Sequence, residues 1–270
     1  MWKTIAARLR GRTADIRSRM LAARLPITPA TYDAAEVADL PPPVRRYFRA
    51  VLKDGQPIVS GVRLSQEGQF RMGDTTSAWR PFKATQVFTT RPPGFDWDAR
   101  IRMAPGLPAY VHDTYASGVG SLRAQVLGLF TVAEVRGTPA SAQGELLRYF
   151  AEAAWYPTAL LPSQGVRWEA MDDSTARAIL TDGATTVSLE FGFDPGELIT
   201  SLRAASRYRG DKEGVPEFAP WHVRFWAYEV REGMQIPMQG EVAWEMPAGL
   251  LPYCRVHIER IAYEFASPSA

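Results

Sequence analysis

FDWDARIRM, residues 95–103, is the stretch on which the fold turns. Phe95, Trp97, Ala99, Ile101 and Met103 alternate with Asp96, Asp98, Arg100 and Arg102. A period of two belongs to a β-strand with one face on an apolar core and the other charged. The surrounding text repeats the signal. Strand-like runs precede it at VRLSQEGQFRM (62–72) and FKATQVFTT (82–90), and follow it at AYVHDTYASG (109–118) and SLRAQVLGLFTVAEV (121–135). Strand text resumes with GVRWEAM (165–171), TARAIL (175–180) and TTVSLEFGF (185–193). Three long segments close the chain at 219–230, 234–246 and 253–265. Asp182-Gly183, Asp194-Pro195-Gly196 and Arg231-Glu232-Gly233 supply the turns between these later runs.

In the last segment Val256 and Ile258 lie on one parity and Ile261, Tyr263 and Phe265 on the other, which predicts a bulge near Glu259. About ten strands follow from this reading, with no βαβ rhythm, so the sheet is expected to be antiparallel. The fold class is therefore mainly β (α+β): a large curved antiparallel sheet or half-open barrel closed by one or two short helices.

The totals bound the rest. A chain of 270 residues can bury roughly three-quarters of the surface its unfolded form exposes. One cysteine, Cys254, excludes an intramolecular disulfide framework and a Cys-rich metal site. Seven of the 31 basic residues and one of the 29 acidic ones fall in residues 1–24, a net of +6, leaving −4 on residues 25–270. A mildly acidic body argues against a nucleic-acid partner. The longest uncharged run, residues 153–166, holds two prolines and is too short to span a bilayer.

Residues 1–24 form the first of two expected units, a basic amphipathic helix; residues 25–270 form the second, one antiparallel β domain. Trp2, Ile5, Leu9, Ile16 and Met20 share one helical stripe, flanked by Arg8, Arg12 and Arg19 and by Lys3, Arg10 and Arg17. The pattern suits either a peripheral contact with an anionic membrane surface or packing on the body with the arginines solvated. Arginines interrupt any secretory h-region, so a cytoplasmic chain at the inner face of the membrane is expected.

Two helices are predicted in the body. Pro41-Pro42-Pro43 opens one over residues 44–52, with Val44, Tyr47, Phe48 and Val51 at helical spacing. The other covers residues 143–155 and ends at Pro157. Its residues Leu146, Leu147, Tyr149, Phe150, Ala153 and Ala154 form a broad apolar arc, while Glu145, Arg148, Glu152 and Trp155 share the opposite face. That polar stripe is either a set of ordinary i,i+3 and i,i+4 helix pairs or a cavity mouth, with Arg148 held by two carboxylates and available to an acidic head group. Two short helices are too little to fill the hollow of so large a sheet, and an apolar surface of that size is not left bare.

The search for chemistry returns little. No nucleophile-elbow, zincin, P-loop or dinucleotide fingerprint occurs, and no cofactor and no metal are expected. Gly118-Val119-Gly120-Ser121 lies between strands and reads as a turn. His112 beside Asp113 is at most half of a metal or general-base pair. The Asp96, Asp98, Arg100, Arg102 ladder is either a solvated outer face or a polar site in which Asp98 works with Arg100. Trp221, Phe225, Trp226, Tyr228 and Trp244 read as core, with some available as an aromatic wall for an apolar ligand.

Three motifs in order, LPPPVRRYFRAVL (40–52), PGFDWDARIRMAPGLP (93–108) and QGELLRYFAEAAWYPTALLPS (143–163), resemble a widespread bacterial family of unknown function over residues 39–265. This resemblance implies no activity. The ending, YEVREGMQIPMQGEVAWEM (228–246) and RVHIERIAYEF (255–265), is similar to the closing strands of periplasmic lipoprotein-sorting carriers. That second resemblance implies a half-open antiparallel barrel closed by helices, with acyl chains held in its concavity.

The function expected from these readings is non-catalytic binding or carriage of a lipid-like or apolar small molecule in the concave face. Trp97, Asp98, Arg100, Glu145, Arg148, Glu152 and Trp155 are the candidate ligand-binding residues. One alternative is a carboxylate-based enzyme with a site around Asp98, Arg100, Glu145 and Arg148, with Glu152 as a further carboxylate. Another is a membrane-peripheral adaptor that uses the leader helix.

Overall fold

The computed structural model describes residues 2–267, the side chains of residues 2–10 and 12 excepted. Its centre is one antiparallel sheet built from two meanders. The first comprises β1 (Val59–Phe70), β2 (Arg80–Thr89), β3 (Gly94–Ala104), β4 (Leu107–Ala116), β5 (Val119–Val126) and β6 (Phe130–Arg136). The second comprises β7 (Arg167–Ala170), β8 (Thr175–Asp182), β9 (Thr185–Phe193) and β10 (Ile199–Lys212), then β11 (Val215–Arg231), β12 (Met234–Met246) and β13 (Gly249–Phe265). The two join where β13 pairs with β1, giving the order β6-β5-β4-β3-β2-β1-β13-β12-β11-β10-β9-β8-β7.

Thirteen strands replace the expected ten or so, for two physical reasons. Residues 121–135 are two strands, because Leu127 and Gly128, at φ 57° and 69°, fold them into a hairpin. A two-residue turn of that kind needs positive φ at both positions, and a leucine there gives no sequence signal. β10 escapes notice because an extra residue between Ala204 and Arg207 breaks its alternation. The bulge expected near Glu259 is present: Ser65 faces Arg260 and Gln66 faces Ile258, so Glu259 has no partner on β1.

The two edge strands, β6 and β7, are consecutive along the chain, so the connection between them has to cross the concave side of the sheet. That crossing is α3 (Pro139–Glu152) followed by 3-10 turns at Ala153–Trp155, Pro157–Leu160 and Pro162–Gln164. α3 packs on β5 and β4 at one limb of the sheet and on β9 and β10 at the other. It begins four residues before the predicted start. Thr138 caps it, accepting from the Ser141 amide at 3.0 Å while Ser141 Oγ accepts from the Thr138 amide at 3.1 Å, and Pro139 occupies the first turn.

The expected apolar arc is buried: Leu146, Leu147, Tyr149 and Phe150 face the core, with Phe150 edge-on to Phe191. The second predicted helix, α2 (Pro42–Val51), plugs the lower part of the hollow. There Tyr47 meets Phe193, and Phe48 meets Trp168 edge-on. Thr158 Oγ1 accepts from the Val59 amide at 3.0 Å, and Tyr263 donates to the Trp155 carbonyl at 2.7 Å, fixing the 3-10 turns against β1 and β13.

α1 (Trp2–Ala22) lies on the convex side, against β3 and β2. Arg17 Nε donates to Asp96 at 2.6 Å and its Nη2 to the Thr85 carbonyl at 3.0 Å; Thr13 donates to Asp98 at 3.0 Å; Arg24 pairs with Glu264. Of the apolar leader stripe, Met20 is buried and Ile16 half-buried, while the side chains of Trp2, Ile5 and Leu9 lie outside the described residues. The charged face of β3, read as solvated or catalytic, is therefore largely the seat of this helix.

Gly120 is where the sheet and α3 come closest. A Cβ there would lie 2.3 Å from the Ser141 carbonyl oxygen and 2.8 Å from the Ala142 amide nitrogen, both backbone atoms. Gly120→Ala should destabilise the protein by about 1–3 kcal/mol, read from urea unfolding midpoints, because the first turn of α3 must move.

Candidate ligand-binding site

The lower part of the hollow is filled by α2, the 3-10 turns and their aromatic partners. The upper part is a cavity of about 630 Å³. Its wall is apolar over most of its extent. Phe70 and Val256 come from β1 and β13, Trp97 from β3, Trp221 and Phe225 from β11, and Val242 and Trp244 from β12. Alternation along each strand sends these side chains to the concave face.

One side of the cavity is different in kind. Arg148, on the face of α3 turned away from its apolar arc, bonds Glu152 through Nε at 3.0 Å and Asp113 of β4 through Nη1. Its guanidinium sits 4.7 Å from the centre of the Trp97 ring and 5.0 Å from that of Phe95. Glu152 also accepts from Gln86 at 2.7 Å. Gln86 accepts in turn from Gln66 at 2.9 Å, and Gln66 accepts from the Trp97 indole at 3.0 Å. Glu145 pairs with Arg207 of β10 at 3.8 Å rather than with Arg148, as helical spacing had suggested. Arg207 donates to the Gly144 carbonyl at 3.0 Å and stacks over Trp221 and Trp244.

The electrostatics of the cluster follow from its burial. Burial, with Asp113 adding to it, pushes the Glu145 carboxyl up to about 8, against the pull of Arg207 and Arg148. Glu152 is raised for the same first reason, although Arg148 draws it down. Burial pulls the Arg148 guanidinium down, but Glu152, Asp113 and Glu145 outweigh it and raise it above its ordinary value. Asp113 Oδ1 and Glu145 Oε2 are buried without a hydrogen-bond partner in the protein. Cys254, also in the wall, has its thiol pushed up to about 12 by burial.

Of the residues singled out in the sequence, Trp97, Glu145, Arg148, Glu152 and Trp155 come together around this cavity. Asp98 and Arg100 do not. They follow Trp97 at odd offsets on the same strand, so they project from the convex face. Asp98 faces Thr13 of α1, and Arg100 is exposed beside Tyr110. The enzyme site proposed around Asp98, Arg100, Glu145 and Arg148 is thus divided between opposite sides of the sheet and does not exist.

His112 and Asp113 part for the same reason. His112 Nε2 meets Asp96 on the convex side, while Asp113 meets Arg148 within. Among the described residues no group of three His, Cys, Asp or Glu side chains could hold a metal ion. Trp221, Phe225 and Trp244 supply the aromatic wall; Trp226 is exposed on the outside. Sequence reasoning missed Arg207, Gln66 and Gln86. The bulge before Arg207 turns it inward out of register, and a lone glutamine on a strand carries no signal of burial.

Two outcomes test this electrostatic account. Glu145 has a raised folded-state value, so its contribution to stability is complete below the unfolded carboxyl range and lost as pH rises through about 8. Glu145→Gln should flatten the loss of stability between pH 5 and 8 by a few kcal/mol, seen as urea midpoints that converge at low pH and favour the variant at high pH. Arg148→Met should cost about 3–5 kcal/mol at neutral pH, because it leaves buried Asp113 and Glu152 uncompensated. Lowering the pH should restore part of that loss.

No curated protein matches the chain. Among solved structures it is similar to a domain described as an outer membrane lipoprotein-sorting protein from Vibrio parahaemolyticus, at 10% identity and a TM-score of 0.42, over 76% of this chain and 86% of that one. It is also similar to a LolA-superfamily protein from Nitrosomonas europaea, at 7% identity and a TM-score of 0.43, over 81% and 92%. A β-barrel-like protein from Brucella abortus matches at 9% identity and a TM-score of 0.24, over 77% and 99%. A family model matches residues 38–263, and the chain accordingly belongs to the family of unknown function DUF6920.

Proposed function

We propose that this protein is a non-catalytic binder of a lipid-like small molecule, held in the upper hollow between α3 and the concave face of the sheet. The cavity carries this reading. At about 630 Å³ it lies within the roughly 300–1,000 Å³ typical of small-molecule sites, and its mostly apolar wall with one polar side is the usual composition of such sites. Each methylene taken from water into such a wall contributes ~0.8 kcal/mol, so a chain of moderate length binds usefully without any special contact.

The ion cluster gives the hollow a polar pole that orients an amphiphile. Arg207, with its Nε committed to the Gly144 carbonyl, keeps further donors for a head group. Glu152 and Asp113 are engaged by Arg148 and Gln86, and Glu145 by Arg207, which leaves them poorly placed for general acid or base work on a substrate.

Four tryptophans around the cavity make binding directly observable, since a dansyl-labelled fatty acid seated among Trp97, Trp155, Trp221 and Trp244 accepts their excitation energy. Saturable energy transfer is expected, together with a co-purifying amphiphile in native mass spectra and organic extracts. Val242→Trp, which fills the hollow, should weaken binding at least about tenfold with the circular dichroism of the sheet intact. Absence of both transfer and extractable ligand in the wild-type protein would overturn the reading.

A further inference from the structure

Alternating strand direction puts six hairpin turns along the rim at one end of the sheet: β5–β6, β3–β4, β1–β2, β12–β13, β10–β11 and β8–β9, in that order. The cavity opens toward this rim, where Gly73 and Leu251 belong to its wall. Three of the turns, residues 104–108, 127–130 and 247–250, contain no charged residue, while the other three carry Arg71 and Asp74, Lys212 and Glu213, and Asp182. Each of these three sets a leucine directly after a glycine: Gly106-Leu107, Gly128-Leu129 and Gly249-Leu250. All three glycines have positive φ, at 72°, 69° and 109°, which tightens the turn and leaves the leucine just after it, at the end of the hairpin.

Those leucines are 36%, 50% and 52% exposed, and Phe130 beside the second is 64% exposed. At the opposite end no turn is made of apolar residues and glycine alone. Arg91, Ser117, Asp194 and Glu197, and Arg231 and Glu232 occupy turns there, as water-facing turns ordinarily require.

We propose that this rim docks on a phospholipid bilayer, immersing Leu107, Leu129, Phe130 and Leu250 at the boundary between headgroups and acyl chains. Several observations favour a lipid surface over a protein. The apolar side chains stand on separate hairpins around an opening, so a rigid partner would meet tips alone, whereas a fluid bilayer closes around each. A second copy seated there would shut its own cavity mouth. The uncharged turns match hydrocarbon and call for no anionic lipid. The purpose of such docking, passage of an apolar ligand between bilayer and cavity without crossing water, rests on the preceding reading of the cavity; the docking itself does not.

The test is flotation of the full chain with vesicles of phosphatidylcholine alone and of phosphatidylcholine with phosphatidylglycerol, each at low salt and at about 0.5 M salt, where surface charges are screened. Binding to both, insensitive to salt, is expected. The triple variant L107S/L129S/L250S should lower the bound fraction at least about tenfold. In a Cys254→Ser background, a polarity-sensitive dye on Leu129→Cys or Leu250→Cys should shift to the blue with vesicles, and one on Ser117→Cys at the opposite end should not. These single labelled variants decide the matter even if the triple variant fails to fold.

Binding confined to anionic vesicles and abolished by salt would overturn the proposal in favour of the basic leader. So would an equal shift at Ser117→Cys, or self-association that the triple variant breaks without any flotation. Ligand retained in native mass spectra without vesicle binding overturns the docking alone; vesicle binding by a protein with an empty cavity upholds the docking and removes the reading of the cavity.

Discussion

A single guanidinium props the structure open. Arg148 projects from the helix that crosses the hollow and is held by Asp113 on one strand and Glu152 on its own helix, itself tied to Gln86 on another strand. A fully apolar helix would sink onto the concave face until its side chains interdigitated with the sheet. A buried, paired charge cannot be compressed in that way, because losing either partner leaves an uncompensated ion in low dielectric. The upper hollow persists where the polar stripe of the helix faces the sheet, and the hollow is filled where its apolar arc does.

Chain topology makes that helix unavoidable. Both edges of the sheet are reached by consecutive strands, so the segment between them has to pass over the concavity. A short loop could not cover so much apolar surface, and a longer helix could not turn back into the first strand of the second meander. The capped start at Thr138 and the break before Pro157 bracket a helix that fits the gap. The 3-10 turns that follow carry Tyr156, Thr158 and Leu160 into the floor.

Much of this was legible in the residues. The alternation in 95–103 and its neighbours made the antiparallel sheet readable, and the change of parity after Ile258 located a bulge that the backbone contains. The Glu145, Arg148, Glu152, Trp155 stripe was legible as one face of one helix. What that face would meet was not, since Asp113 and Arg207 are distant in sequence. The misreading of Asp98 and Arg100 has a different cause. Alternation set them on the face opposite Trp97, but a strand's own residues do not say which of its two faces lines the hollow. Their face serves the leader helix, through buried Asp96 bound by Arg17 and His112. Arg207 was hidden because a bulge removes the regularity on which pattern reading depends.

The sheet never closes on itself, and this has a consequence for what the protein can hold. In a sealed barrel the circumference is fixed by the number of strands and their stagger. Here β6 and β7 remain unjoined, so the bore is set by the reach of the side chains bridging the crossing helix to the two limbs. Lengthening or shortening those struts retunes the calibre while every strand stays where it is.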